Sequence, residues 1–262
     1  MPPVSLRRMY EAELAFAHQV ADRAAEIAMS FFLGEFEVRE KADLTPVTEA
    51  DLVVEAMFRE AAAERFPDDA VLGEEGGGQE TGGRVWVVDP IDGTRNFADG
   101  VPLWATLIAL RIGGQGMLGV ASAPAIGERY EAVRGGGARC NGRTIHVTAR
   151  DRIDDAFFVF SSLDEWLDGP RLDAFTALVR DARRSRGFGD FWGHVLVARG
   201  AADVMAEPDL AVWDWAALEV IVREAGGRVT TFDGEPPAGT CSVLTTNGAL
   251  HDEVLRRLAV DA

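Results

Sequence analysis

Two aspartates close an apolar segment in the stretch WVVDPIDGT, from Trp86 to Thr94. The apolar run predicts a buried strand, so Asp89 and Asp92 both fall at a strand end. Carboxylates this close repel each other and resist burial unless a positive charge lies near them. The stretch therefore predicts a binding site for a cation.

The spacing within DPIDGT fits a divalent cation beside a phosphate group. Pro90 stiffens the turn, which lets the two aspartates face one point and lets the carbonyl of Ile91 join them. Gly93 and Thr94 would begin a helix, whose first amides have no intrahelical acceptor and can hold a phosphate oxygen. Phosphate held by helix amides and divalent ions is the setting for phosphoryl hydrolysis.

More carboxylates lie at the ends of other predicted elements. Glu74 and Glu75 follow a short strand, Asp51 lies near a helix start in PVTEAD, and Asp214 opens a helix in VWDWAALEV. Functional groups collect at such ends in mixed folds. Carboxylate oxygens are hard ligands that suit Mg²⁺, and no thiolate or paired-histidine pattern offers a zinc site.

Each of these outer carboxylates also has a simpler interpretation. Asp51 could complete a capping box with Thr48, and Asp214 could be an ordinary acid in the first turn of a helix. Glu74 and Glu75 could be solvated loop residues. Only their occurrence together with DPIDGT favours a metal site.

Apolar spacing predicts the elements that position these residues. In the first part of the chain we expect a helix over 10–33 and a second helix that starts near Thr48 and stops before Pro67. We also expect strands at AVLGEE and RVWVVDP, a surface loop at 74–83, and an antiparallel meander from Trp104 to Val147.

The pattern becomes mixed after about residue 150, with no internal repeat. We expect strands at FFVFSS, ADVMAE and CSVLTTN, and helices near 171–182, 191–199, 214–225 and 248–258, with Gly226 or Gly227 ending the third. We therefore divide the chain into an α+β portion, 1–150, with most metal ligands, and an α/β portion, 151–262, with Asp214 and the specificity residues.

Composition restricts the class of protein. The 262 residues are 47% hydrophobic, which allows a sizeable core, and no run of about 18 apolar residues predicts a membrane span. A net charge of −17 argues against general nucleic-acid binding. Cys140 and Cys241 lie in no CxxC motif and the N-terminus lacks an apolar signal core, so a reduced, cytoplasmic protein is expected.

The chain resembles the inositol monophosphatase superfamily. The matching motifs, in the family's order and spread over nearly the whole chain, are KADLTPVTEAD (41–51), GEE (73–75), WVVDPIDGTRNF (86–97) and VWDWAALEVIVREAGG (212–227). The resemblance implies an α+β fold, a layered αβαβα sandwich that is usually a homodimer. It also implies two or three Mg²⁺ ions in each active site.

The resemblance further implies a role for each matching residue. Asp51 and Thr94 match the pair that orients the attacking water, and the amides of Gly93 and Thr94 match those that hold phosphate. Asp214 would also reach the substrate, and Glu74 would count among the catalytic residues. The implied metal ligands are Glu74, Asp89, the Ile91 carbonyl, Asp92 and Asp214.

Within the superfamily, the segment 184–214 is similar to histidinol-phosphate phosphatases, especially those of the actinobacterial type, and FSSL at 160–163 agrees. In that interpretation Asp190 and Glu207 project into the substrate pocket. Taken alone, Asp190 could be a helix N-cap and Glu207 a solvated acid at a strand end.

The resemblance implies hydrolysis of L-histidinol phosphate to L-histidinol and phosphate, a late step of histidine biosynthesis. An inositol-1-phosphate or broad-specificity sugar monophosphatase is the alternative within the class. A metal-bound regulatory module without turnover would be expected to have lost a ligand or the water-orienting pair, and every one of these residues is present.

Overall fold

The structure is a computed structural model, which describes residues 6–32, 34, 38–40, 46–80 and 82–259. The first five residues of the motif KADLTPVTEAD, 41–45, lie outside the described residues. In the described ranges no helix combines the length and apolarity needed to cross a membrane.

The helices cover most of the segments in which helical spacing was predicted. In chain order they are α1 (Leu6–Met9), α2 (Glu11–Phe32), α3 (Glu49–Arg65), α4 (Thr94–Ala98), α5 (Asp164–Leu167), α6 (Leu172–Asp181), α7 (Asp190–Ala198), α8 (Val212–Glu224) and α9 (His251–Leu258). Short 3-10 turns occur at Pro124–Ile126 and Ile153–Asp155.

The strands form two main sheets and one short ribbon. In chain order they are β1 (Val38–Glu40), β2 (Pro46–Thr48), β3 (Ala70–Gly73), β4 (Arg84–Asp92), β5 (Ala105–Ile112), β6 (Gln115–Ala123), β7 (Glu128–Val133), β8 (Ala138–Cys140), β9 (Arg143–Thr144), β10 (Phe157–Phe160), β11 (Arg184–Gly187), β12 (Val204–Leu210), β13 (Arg228–Thr230) and β14 (Cys241–Thr246).

The first sheet contains seven strands in the order β3-β4-β5-β6-β7-β8-β9. Strands β3 and β4 are parallel, so their carboxyl ends meet at one edge of the sheet. The remaining neighbours are antiparallel, which confirms the predicted meander after Trp104. This order places the end of β4, with its two aspartates, beside the turn that follows β3.

The second sheet contains five strands in the order β11-β10-β12-β14-β13. The sequence did not predict β11 and β13, which form its two edges. Strand β11 reads RSRG and has mostly exposed side chains, so it carries no apolar signal, and it is a strand because it pairs with β10. Strand β13 is only three residues long.

Apolar side chains alternate between the two faces of each sheet, so helices pack on both faces and the fold has five layers. In β4, Trp86 and Val88 pack against α2 and α3, whereas Val85 and Val87 face α8. In β10, Val159 packs toward α7 on one face of the second sheet, and Phe158 packs toward α6 and α9 on the other. The fold is therefore the predicted layered αβαβα sandwich of the α+β class.

The predicted division at residue 150 stays a prediction. The strands of the first sheet all precede that residue, and those of the second sheet follow it. Helix α8, however, belongs to the second portion and packs into the core of the first sheet. The two portions therefore share the helix that carries Asp214.

Gly119 allows α8 to approach strand β6 closely. A Cβ atom at this position would lie 2.3 Å from the carbonyl oxygen of Ala217, a backbone atom that cannot move aside without the helix. The absence of a side chain at residue 119 thus sets the height of α8 above the sheet.

Gly119→Ala should lower the free energy of unfolding by about 1–3 kcal/mol, because an added methyl group overpacks this contact. Thermal unfolding of the metal-free protein is the measurement. Gly82→Ala is the matched control, since within the described residues a Cβ there meets no atom within 4 Å. Equal melting temperatures for the two variants would show that α8 is not held at contact distance.

Candidate active site

Carboxylates from four parts of the chain line or adjoin one cavity of about 670 Å³. Oxygens of Asp89, Asp92 and Asp214 lie within 4.8 Å of one another, and those of Asp51, Glu74 and Glu75 do the same. The structure therefore brings together the predicted ligands, in two adjoining groups. Glu75, which the sequence marked only as a strand-end acid, belongs to the second group.

The end of β4 is irregular where the two aspartates occur. The ladder with β5 shifts register between Asp89 and Asp92, because Pro90 has no amide hydrogen to donate. Oδ1 of Asp89 accepts a hydrogen bond from the amide of Ile91 at 2.9 Å. Thr106 donates to the carbonyl of Pro90 at 2.8 Å and fastens the bulge to the neighbouring strand.

Asp51 is compatible with both predicted roles, because one carboxylate oxygen caps helix α3 and the other remains for the site. Its Oδ2 accepts hydrogen bonds from the amide of Thr48 at 2.8 Å and from the hydroxyl of Thr48 at 2.6 Å, so it completes the cap of α3. Its Oδ1 is buried and has no hydrogen-bond partner among the described residues. A buried carboxylate oxygen without a donor is where a cation or a bound water fits.

Asp214 likewise combines a helix-start role with a site role. Its Oδ2 accepts a hydrogen bond from the amide of Ala211 at 2.7 Å, at the start of α8. Oδ2 of Asp92 accepts one from the amide of Phe191 at 2.7 Å, at the start of α7. Each of these carboxylates is thus fixed through one oxygen by a backbone amide.

Burial and mutual repulsion raise the pKa of the clustered carboxyl groups. Burial is the larger cause and neighbouring carboxylates the smaller one, and together they raise the pKa of Asp89 and of Asp92 well above the ordinary range. Burial raises the pKa of Asp214 to about 8 and that of Asp51 to about 6. In the metal-free protein the ionised form of these groups is therefore unfavourable, and a bound cation would stabilise it.

The donor set fits hard divalent cations. It consists of carboxylate oxygens and one backbone carbonyl, with the unpartnered Oδ1 of Asp51 beside them. Such a set suits Mg²⁺ rather than a soft metal. The residues that could hold the ions are Glu74, Glu75, Asp89, Asp92, Asp214 and the carbonyl of Ile91.

The turn after β4 leads directly into α4. Gly93 has φ 81°, a conformation that favours glycine, and precedes the first helical residue, Thr94. The hydroxyl of Thr94 donates to the carbonyl of Ile91 at 2.9 Å. Gly93 and Thr94 both line the cavity, and the prediction that their amides hold phosphate stays a prediction.

Asp190 lies on another wall of the cavity, at the start of α7. It has φ 50°, in the left-handed region that aspartate tolerates better than most residues, and the residue before it is Gly189. Its Oδ2 accepts a hydrogen bond from Nδ2 of Asn96 at 3.1 Å. Burial raises the pKa of Asp190 to about 7, and nearby Glu207 and Glu165 add to the shift.

Glu207 lies behind this wall and is not a solvated strand-end acid. It is 3% exposed, and its Oε1 accepts a hydrogen bond from the amide of Asp190 at 3.1 Å. Its Oε2 lies 2.7 Å from Nε2 of buried His194, whose pKa burial lowers to about 3. The sequence could not indicate this pairing, because an isolated histidine has no recognisable partner.

Two further acids of the site escaped the sequence analysis. Glu165, in α5, lines the cavity and accepts a hydrogen bond from the hydroxyl of Ser161. Glu55, in α3, is buried and contacts the turn that carries Glu74 and Glu75. Glu55 follows Asp51 by one helical turn, so both lie on the same face, and that spacing is a signal that could have identified it.

Comparisons with known proteins agree with this geometry. A model of the inositol monophosphatase family matches residues 9–260. A histidinol-phosphatase of Streptomyces coelicolor is 45% identical over 257 residues, which cover 94% of this chain and 96% of the relative. One of Mycobacterium tuberculosis is 46% identical and covers 95% of this chain and 99% of its own. The structure of an inositol monophosphatase from Zymomonas mobilis has a TM-score of 0.86 at 31% identity, covering 96% of this chain and 99% of that one.

The metal-free protein should lose stability as the pH rises from 6.5 to 8. Asp214 has a raised pKa of about 8 in the folded chain and an ordinary value of 3.8 when unfolded. In this range the folded state binds more protons, so the free energy of unfolding falls with pH. Asp214 alone contributes about 1–2 kcal/mol over this interval.

Thermal unfolding in a chelator at the two pH values is the measurement. His194 and His251, whose pKa values burial lowers to about 3 and about 4, oppose this dependence by only about 0.4 kcal/mol each, because their ordinary pKa of 6.5 lies at the lower end of the range. Asp214→Asn is the control and should reduce the dependence. A metal-free protein that is equally stable at both pH values would contradict the raised pKa of Asp214.

Proposed function

Because the chain belongs to the inositol monophosphatase family, we propose that it is a Mg²⁺-dependent phosphatase that hydrolyses L-histidinol phosphate to L-histidinol and phosphate. Its membership of the family confirms the resemblance read from the sequence motifs. The observation that carries the substrate assignment is the acidic wall formed by Asp190 and Glu165, in the same cavity as the carboxylate cluster.

Two or three Mg²⁺ ions would be held by Glu74, Asp89, the Ile91 carbonyl, Asp92 and Asp214. When bound, such ions neutralise the charge of phosphoryl oxygens and lower the pKa of water. The raised pKa values of Asp89 and Asp92 support this proposal, since burial and the neighbouring carboxylates disfavour their charged forms, which a bound cation would stabilise.

Asp51 and Thr94 would orient the attacking water. Thr48 fixes Oδ2 of Asp51, which leaves Oδ1 available to accept a hydrogen bond from that water. Burial raises the pKa of Asp51 to about 6, so this carboxylate can take up a proton near neutral pH. The amides of Gly93 and Thr94, at the start of α4, would hold a phosphate oxygen.

The acidic wall fits the cationic part of histidinol phosphate. This substrate carries an ammonium group and an imidazole, whereas inositol phosphate carries only hydroxyl groups beside its phosphate. In the described part of the chain, the hydrogen-bond partners of Asp190 and Glu165 are neutral groups, Asn96 and Ser161. The positive charge of Arg95 lowers the pKa of both acids, but burial raises it further, so a cationic ligand is favoured there.

Glu207 would support this wall. The prediction that Glu207 contacts substrate directly stays a prediction, because in the structure its carboxylate is occupied by the amide of Asp190 and by His194. We further propose a cytoplasmic homodimer. Family resemblance supports the dimer, and the free cysteines Cys140 and Cys241 are compatible with a reducing compartment.

The test of the proposed function is phosphate release from histidinol phosphate and from inositol 1-phosphate, each with Mg²⁺ and with a chelator. We expect a higher kcat/KM for histidinol phosphate and no turnover in the chelator. A higher kcat/KM for inositol 1-phosphate would favour the alternative monophosphatase. No release from either substrate would favour a module without turnover.

Asp190→Asn and Glu165→Gln should each lower kcat/KM for histidinol phosphate by roughly 10- to 150-fold, because a hydrogen bond to a charged group contributes about 1.5–3 kcal/mol. Glycerol 2-phosphate, which has no cation, is the control substrate and should lose much less. Equal losses on both substrates would assign these acids to the metal site or the fold.

Thr94→Ala should lower kcat by roughly 100-fold with a smaller change in KM, because misplacing the attacking water acts mainly on the transition state. Steady-state kinetics at saturating Mg²⁺ is the measurement. Thr94→Ser keeps the hydroxyl and should retain most activity. A variant in which only KM changes would show that Thr94 binds substrate and does not orient water.

A further inference from the structure

We propose that Glu55 is a positioning residue of the metal cluster, which fixes the turn that presents Glu74 and Glu75. This inference rests on the proposed function, since it assumes that Glu74 holds bound Mg²⁺ and that Glu75 lies beside it. The turn runs from Glu74 to Gly78, directly after β3.

The carboxylate of Glu55 accepts hydrogen bonds from two consecutive amides of the turn. Oε2 accepts from the amide of Glu75 at 2.7 Å, and Oε1 accepts from the amide of Gly76 at 2.8 Å. Glu55 is only 2% exposed, so these contacts form away from competing water. Charge-assisted hydrogen bonds to a buried carboxylate are stronger than those between neutral groups.

Arg59 completes the contact on the same face of α3. Its Nε donates to Oε1 of Glu55 at 2.7 Å, which compensates the buried charge. A terminal nitrogen of the same guanidinium donates to the carbonyl of Gly77 at 2.6 Å. Glu55 therefore binds two backbone amides of the turn, and Arg59 binds one of its backbone carbonyls.

The backbone passes so close to Glu55 at Gly73 and Gly76 that neither position has room for a side chain. A Cβ at Gly73 would lie 2.5 Å from the carboxylate, and one at Gly76 would lie 2.7 Å from Oε1. Residues 76–78 are all glycine, which has little conformational preference of its own. The contacts with Glu55 and Arg59 therefore fix the turn from the α3 side, beside the backbone hydrogen bonds from Gly73 to Gly77 and from Glu74 to Val88.

One helix consequently positions both parts of the second carboxylate group. Asp51 contributes from the first turn of α3, and Glu55 contributes one turn later by holding Glu74 and Glu75. The separation of Asp51 from those two acids is then fixed by the helix. Residues that orient metal ligands from behind typically change metal affinity by about 10- to 100-fold when they are altered.

The test is Mg²⁺ binding to the full chain, measured by titration calorimetry with the metal alone on wild type and Glu55→Gln. Every recorded contact of the Glu55 carboxylate comes from a donor, so the amide of glutamine must place its NH₂ against one of them. We expect an affinity about 10- to 100-fold lower. Phosphate release should shift to higher Mg²⁺ concentration by the same factor and recover at saturation.

Glu219→Gln is the matched control. Glu219 also forms an i,i+4 pair with an arginine, Arg223, at 3.0 Å on a helix that carries a predicted ligand. Its recorded contacts are guanidinium groups and not the amides of a ligand turn. We expect this variant to bind Mg²⁺ as wild type does, whatever its melting temperature.

Wild-type affinity in a folded Glu55→Gln variant would overturn the proposal, even if its melting temperature fell. If that variant does not fold, Arg59→Gln removes the contact to Gly77 and should weaken Mg²⁺ binding in the same direction; no shift there would overturn it. Wild type that binds no Mg²⁺ would instead refute the proposed metal dependence, and the positioning role with it.

Discussion

The site depends on holding mutually repelling carboxylates at short distance. The protein does this by fixing one oxygen of each aspartate with a hydrogen bond from a backbone amide. The amides belong to Thr48 for Asp51, Ile91 for Asp89, Phe191 for Asp92 and Ala211 for Asp214. Three of these amides lie at helix starts, where unpaired donors are available. The layered fold is the arrangement that brings three helix starts and one strand end to a single point.

Much of this arrangement could be predicted because the signals are local. Helix α3 begins after Thr48 and ends before Pro67, and α8 ends just before Gly226 with φ 94°. The bulge after Asp89 follows from the missing amide hydrogen of Pro90. The predicted metal ligands were identified from local signals of this kind, and their side chains lie close together in the structure.

The rest depends on contacts between distant residues, which leave no local pattern. Strand β11 is polar and exists because β10 lies beside it. Glu207 looked like a solvated acid and is buried, because His194 and the amide of Asp190 meet it there. Glu165 carries no sequence signal either, since a single glutamate on a short helix has no distinctive spacing. The burial of a charged residue is harder to predict than that of an apolar one, because it depends on a particular partner elsewhere in the chain.

The hydrogen bond from the amide of Phe191 to Asp92 has a consequence for the shape of a substrate. Asp190, which also lines the cavity, is the residue immediately before that amide. A single peptide unit therefore connects the group at the metal end to the group at the cationic end. On the proposed function, this peptide unit and its hydrogen bond to Asp92 fix the distance between the metal end and the cationic end of the cavity. Molecules would be selected by the interval between their phosphate and their positive charge as much as by the presence of either.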